Sequence, residues 1–111
     1  MNFNLTEYKR CTVLTTSGRI DSATAPEVEE ALKQLMEKGQ FNIIMDMKDV
    51  TFISSAGWWA LIRAQKELKK MNRGELVLVN LDPRIRESMD LVGIGPYFQL
   101  FDDLLDAVGS L

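Results

Sequence analysis

The stretch Phe41-Asn-Ile-Ile-Met-Asp46-Met-Lys-Asp49-Val-Thr-Phe-Ile53-Ser54-Ser55-Ala56-Gly57 decides how this chain is read. Phe41 to Met47 is apolar on both faces apart from Asn42 and Asp46, as a central parallel strand covered on both sides must be. Asp46 falls near the C-terminal end of that strand. A short loop follows and ends in two serines, and the spacing beyond them predicts a helix over residues 56–72 stopped by Arg73-Gly74. Serine is a favoured helix N-cap and needs no further role there. A serine hydroxyl at a helix N-terminus, with carboxylates nearby, is also a good place to add and remove a phosphate, because the terminal amides favour negative charge. The residues alone leave both readings of Ser54 and Ser55 open. They equally allow Asp21, Asp46 and Asp49 to be plain solvated carboxylates.

On a wheel of 100° per residue, Gly57, Leu61, Ala64, Leu68 and Met71 share one narrow arc, which is the expected core face. Trp59 lies nearly opposite. Ile62 lies well away from the arc and Trp58 sits on its shoulder, while Arg63, Lys66, Lys69 and Lys70 share the outward side. Trp58 reads either as core packing or as part of a docking patch with Trp59 and Ile62. Aromatic groups rimmed by positive charge are enriched at interface hot spots.

Outward from this segment, Phe3 to Glu7 and Thr12 to Thr16 read as two strands with Lys9-Arg10 at a hairpin tip. Gly18 interrupts the second strand. Thr24 to Glu27 has capping-box spacing with Pro26 in the first turn, and Val28, Leu32, Leu35 and Met36 make one apolar stripe closed by Gly39. After the serine helix, Leu76 to Val79 is a buried strand. Asp82-Pro83 opens a third helix with Ile85, Met89 and Val92 inward and Gly93 at its end. Tyr97 to Phe101 is a last strand, and Asp102 caps a terminal helix carrying Leu104, Leu105 and Val108. The order β-β-α-β-α-β-α-β-α implies an α/β fold, with a mostly parallel sheet, an antiparallel edge hairpin and about four helices laid against it.

Composition narrows the function classes. The chain has 111 residues, with 46 % hydrophobic and 26 % charged, an ordinary globular mixture for one domain spanning residues 1–111. A net charge of −3 gives no electrostatic case for nucleic-acid binding. Cys11 is the one cysteine, so no internal disulfide can form, and a reducing compartment suits it. No signal peptide or membrane span is visible, so a cytoplasmic location without membrane insertion is expected. Histidine is absent, which removes the commonest general base and transition-metal ligand. The usual Ser-His-acid triad cannot be built from this chain, and with no Gly-x-Ser-x-Gly elbow either, a serine hydrolase is not expected. Ser54-Ser55-Ala-Gly57 also lacks the Gly-rich lead and the lysine of a phosphate-binding loop. No enzyme activity, cofactor or metal is expected.

Four segments, taken together, carry a family resemblance: Gly18-Arg-Ile-Asp21 with Thr24-Ala25, Ile43-Ile-Met-Asp46, Val50-Thr-Phe-Ile53-Ser54-Ser55-Ala56-Gly57, and Leu91-Val-Gly93-Ile94 before Phe98. In this order and spacing the chain resembles the anti-sigma factor antagonists, bacterial regulators of transcription built on a single STAS domain. In that family the serine two positions before the motif glycine is phosphorylated by an anti-sigma factor kinase. The matching residues are Ser55 and Gly57, with Ser54 as the alternative acceptor because it stands where the family usually has Asp. The family's acidic residues near the phosphosite match Asp21 and Asp46. The resemblance implies that the unphosphorylated protein binds an anti-sigma factor with serine kinase activity and frees the sigma factor. Phosphorylation would end that binding, and a PP2C-type serine phosphatase would restore it. Trp58-Trp59 replaces the small residues usual after the glycine, which predicts an altered choice of kinase or redirection to another partner. A non-switching STAS adaptor in a transport or signalling assembly is the alternative.

Overall fold

A computed structural model describes residues 1–70 and 74–111. Strands β1 (Asn2–Glu7) and β2 (Thr12–Ile20) are followed by helix α1 (Ala25–Glu37), strand β3 (Asn42–Ile53), helix α2 (Ser55–Lys70) and strand β4 (Glu75–Val79). Helix α3 (Pro83–Leu91), a 3-10 turn (Gly95–Tyr97), strand β5 (Leu100–Phe101) and helix α4 (Leu104–Gly109) complete the chain. The sheet order is β1-β2-β3-β4-β5. β1 runs antiparallel to β2, and every other neighbouring pair is parallel. This is the mixed α/β fold expected from the order of elements, with its edge hairpin and four helices. The expected helix end at Asn72-Arg73 and the core position Met71 lie outside the described residues.

Helices α1, α2 and α3 cover one face of the sheet. Leu14, Ile43, Met45 and Leu78 meet Leu32, Leu61, Leu68 and Ile85 there. The short α4 covers part of the other face, where Ala107 closes over Val13, Ile44, Val77 and Val79. Val92, expected to point inward, is 49 % exposed at the end of α3. Leu105 is 80 % exposed on α4, a helix too short to bury more than one side.

The largest departure from the sequence reading is the length of β3. Residues 48–53 were expected to be loop, yet the strand continues to Ile53. Lys48 and Asp49 break the apolar run, but ladder hydrogen bonds to β2 do not require apolar side chains. β2 likewise continues through Gly18, which has a φ of +111° and sits at an irregularity in the pairing rather than ending it. Between Thr15 and Ile20 the register slips twice, so that β3 carries two residues more than β2 over the same distance.

The helix ends follow the local sequence signals at some positions and depart from them at others. Asp82 caps α3 by accepting from the Arg84 amide at 2.8 Å, with Pro83 in the first turn. Gly39 and Gly93 take positive φ after α1 and α3. The Thr24–Glu27 capping box does not form. The Thr24 hydroxyl instead donates to the Arg19 carbonyl at 2.7 Å and accepts from the Asp21 amide at 2.9 Å, which folds it back onto the preceding loop. Asp103, not Asp102, caps α4. The expected strand over Tyr97 to Phe101 shrinks to two residues because the Tyr97 carbonyl is held by the buried Gln65 side chain at 2.8 Å. The same amide group bridges to the backbone of Leu76.

Helix α2 is enclosed on more than one side. Gly57, Leu61, Ala64 and Leu68 are buried as the wheel requires, and so are Trp58, Ala60, Ile62 and Gln65. Trp58 and Ile62 are each 1 % exposed, which removes both from the surface expected to meet a partner. A wheel with one core arc describes a helix lying on a sheet. Here α3 and Phe98 also close the flank: the Trp58 and Phe98 rings sit 6.5 Å apart in a tilted arrangement, and the Trp58 indole donates to Ser88 Oγ at 3.4 Å. Trp59 remains 52 % exposed, as its wheel position predicts. Trp58→Ala should therefore lower stability by about 3–5 kcal/mol in a denaturant titration, the usual cost of emptying a buried aromatic site. An unchanged midpoint would show that the indole does not fill the space between α2 and α3.

Candidate functional site

The two serines lie at the rim of the sheet, where β2 and β3 end together. The Ser54 amide donates to the Ile20 carbonyl at 2.8 Å, which sets the start of α2 beside the Asp21 loop. Ser54 is the N-cap: its carbonyl accepts from the Trp58 amide at 3.0 Å and its Oγ accepts from the Gly57 amide at 3.2 Å. Ser55 is the first helical residue and is exposed, and its hydroxyl has no hydrogen-bond partner among the described residues. Gly57 is buried against the end of β2. A Cβ there would lie 2.7 Å from Ile20 Cγ2 and 2.9 Å from both the Ile20 carbonyl oxygen and Ile53 Cγ2. Glycine is needed at this position for close approach, and this contact fixes how near Ser55 comes to β2.

The two expected acidic neighbours separate. Asp21 directly follows Ile20 and its carboxylate accepts from the Ala23 amide at 2.9 Å and the Thr24 amide at 3.2 Å. These two bonds, first Ala23 and then Thr24, hold its carboxyl below the ordinary carboxylate range, with help from the Thr24 hydroxyl and the Arg19 charge. Asp21 is thus an ionised group at neutral pH on the serine rim. Asp46 is not brought there. It is 3 % exposed and paired with Thr15 on one side and Val79 on the other. Its carboxylate accepts from the Lys48 amide at 3.1 Å and from Asn80 Nδ2 at 3.2 Å. The rim lies a five-residue advance of β2 away, from Thr15 to Ile20, roughly 15 Å at the rise of a strand. The longer β3 is the reason: Asp46 sits mid-strand and ties β3 to the end of β4.

Two exposed aromatic residues flank Ser55 in the chain, Phe52 at 39 % and Trp59 at 52 % exposure. Arg19 stands over the Phe52 ring, with its guanidinium carbon 4.3 Å from the ring centroid. The sequence reading missed Arg19 and Phe52 as a pair. Their alignment depends on the second register slip of β3, which no local pattern reveals. A concave region of about 610 Å³ lies elsewhere, between α1 and α2, where Glu29, Lys33, Met36, Ala60 and Arg63 are among the lining residues and neither serine takes part. Because Ser55 stands outside that groove, with an ionised acid on the same rim and exposed aromatic residues close to it in the chain, it suits contact with another macromolecule.

The hydrogen bonds divide the serines by role. Ser54→Ala should cost about 1 kcal/mol of stability through loss of the cap, and Ser55→Ala clearly less. Equal losses in thermal or chemical denaturation of the two variants would contradict that division.

A family model described as the STAS domain matches residues 2–107. The chain is 34 % identical to BtrV of Bordetella bronchiseptica, named for an anti-sigma factor antagonist role, over 76 residues that make up 68 % of this chain and 65 % of BtrV, just under two thirds of that relative's length. It is 30 % identical to the anti-sigma-B factor antagonist of Listeria monocytogenes over 84 residues, 76 % of this chain and 73 % of that one. An anti-sigma factor antagonist from Mycobacterium paratuberculosis superposes with a TM-score of 0.86 at 26 % identity, covering 98 % of this chain and 92 % of that chain. No described helix is long and apolar enough to cross a membrane. With its edge hairpin, parallel sheet and serine-capped second helix, the chain belongs to the STAS domain family, among relatives that are anti-sigma factor antagonists.

Proposed function

We propose that this chain is a cytoplasmic anti-sigma factor antagonist that acts by binding and not by catalysis. In its unphosphorylated form it binds an anti-sigma factor that is itself a serine kinase, and so releases the sigma factor. Phosphorylation of Ser55 switches that binding off, and a PP2C-type serine phosphatase restores it. The observation that carries this reading is the contrast between the serines: Ser54 Oγ is engaged as the cap, whereas the Ser55 hydroxyl is exposed and without a partner among the described residues.

The physics of the switch follows from that position. A phosphate adds a charge of about −1.5 to −2. At the N-terminus of a 16-residue helix it is stabilised by the terminal amides, by up to about 1–2 kcal/mol, so the fold tolerates it. The Asp21 carboxylate already holds negative charge on the same rim, so a partner that covers both groups meets like charges and desolvates them. Affinity falls without a change of fold. Trp59 is exposed one helical turn from Ser55 and is the apolar anchor that such a partner covers. Its bulk where the family is small also favours the second reading, a STAS adaptor without a phosphoswitch.

Incubation with the purified serine-kinase anti-sigma factor of the same genome, followed by peptide mass spectrometry, should place phosphate on Ser55. Phosphate on Ser54 in a Ser55→Ala variant would reverse the assignment, and no phosphate on either would leave the adaptor. Ser55→Asp should bind that kinase at least about tenfold more weakly, the equivalent of ~1.4 kcal/mol, yet melt close to wild type. Early melting would make any loss of binding trivial. Trp59→Ala should likewise keep its denaturation midpoint while affinity drops about tenfold or more. A large loss of stability in Trp59→Ala would instead mean that the indole packs within the domain.

A further inference from the structure

Arg19 is an exposed guanidinium with no ion pair among the described residues, whose salt bridges are Arg63–Glu29 and Arg84–Asp82. The acid nearest in sequence, Asp21, spends its carboxylate on the amides of its own loop. Arg19 is nevertheless not a free arm. The register pairs it with Phe52, and its guanidinium lies over that ring at 4.3 Å. Alternation along the strands turns Ile20 and Ile53 into the core beneath the helices, and turns Arg19 and Phe52 to the opposite side of the same rim. Arg19 is two residues from Asp21, and Phe52 is three from Ser55. A partner interface of standard size, about 800 Å² a side, is wide enough to cover both sides of the rim.

We propose that Arg19, stacked on Phe52, is a specificity-determining contact that takes a carboxylate of the partner protein. A guanidinium already ordered by stacking presents its planar donor fork with little further loss of freedom, and that fork matches a carboxylate bidentately. Asp21 beside it supplies the opposite sign. The rim thus offers an adjacent positive and negative group, and a partner with the reverse order is selected while one with like charges is rejected. This inference rests on the reading of the Ser55 rim as a docking surface. It adds which charge the partner must present there.

The test is equilibrium binding of the purified serine-kinase anti-sigma factor of the same genome to wild type, Arg19→Gln, Arg19→Glu and Phe52→Leu, at low and high salt, with the denaturation midpoint of each variant measured alongside. Arg19→Glu should bind at least tenfold more weakly, Arg19→Gln and Phe52→Leu less severely, all with midpoints near wild type. The salt dependence of affinity should flatten in Arg19→Gln, since one charge pair has gone. Among Asp→Lys and Glu→Lys variants of the kinase surface, at least one should restore binding to Arg19→Glu while weakening binding to wild type. If Arg19→Glu and Arg19→Gln bind within twofold of wild type while Ser55→Asp still loses binding, the docking reading stands and the Arg19 contact is wrong. If wild type itself does not bind the kinase, the proposed function fails and this contact with it.

Discussion

The start of α2 lies directly against the end of β2, and the candidate functional surface depends on that contact. The Ser54 amide is bonded to the Ile20 carbonyl, and Gly57 rests on Ile20 where a Cβ has no room. One hydrogen bond and one missing side chain thereby join the loop after β2 to the helix after β3. Asp21 and Ser55, far apart in sequence, become neighbours on one rim. Any residue larger than glycine at position 57 would have to lift the helix, and the serine with it, away from the carboxylate.

Burial around α2 decides which aromatic residues remain available. Trp58 and Trp59 are adjacent in sequence and opposite in role. Trp58 is locked between Phe98 and Ser88, where its indole N–H finds a partner as a buried tryptophan requires. Trp59, turned by one residue's 100° about the helix, meets no neighbouring element over half its surface. A helix covered by the sheet and α1, with Phe98 and Ser88 against Trp58 on its flank, keeps only a narrow outward strip, so an aromatic residue on that strip is conspicuous.

The carboxylates show the same division. Asp46 is buried and serves the backbone of β3 and the Asn80 side chain, so its removal would loosen the tie between β3 and the end of β4. Asp21 is kept ionised by its loop amides and remains at the surface of the serine rim. Arg19 lies over the Phe52 ring, makes no ion pair among the described residues, and places a positive charge beside Asp21. The rim therefore carries an ordered charge pattern.

Much of this was written in local sequence. Apolar periodicity, turn glycines and the Asp82-Pro83 cap set the order of elements, and the hairpin followed by alternating helices and strands implied the mixed sheet. Local sequence marked Ser54 and Ser55 as a helix start, while the choice of Ser55, Gly57 and Asp21 as a candidate site came from the family resemblance of the four segments. Tertiary structure alone decided the rest. The length of β3, and with it the removal of Asp46 from the rim, came from hydrogen bonding to β2 across two register slips. Trp58 is buried where Ser88 of α3 and Phe98 close on a flank that a helical wheel treats as open, and Ile62, one turn along the same side, is buried too. The pairing of Arg19 with Phe52 came from the same strand register. Periodicity reports which way a side chain leaves its own element, whereas burial and pairing depend on which other elements arrive there, and that is set by long-range packing.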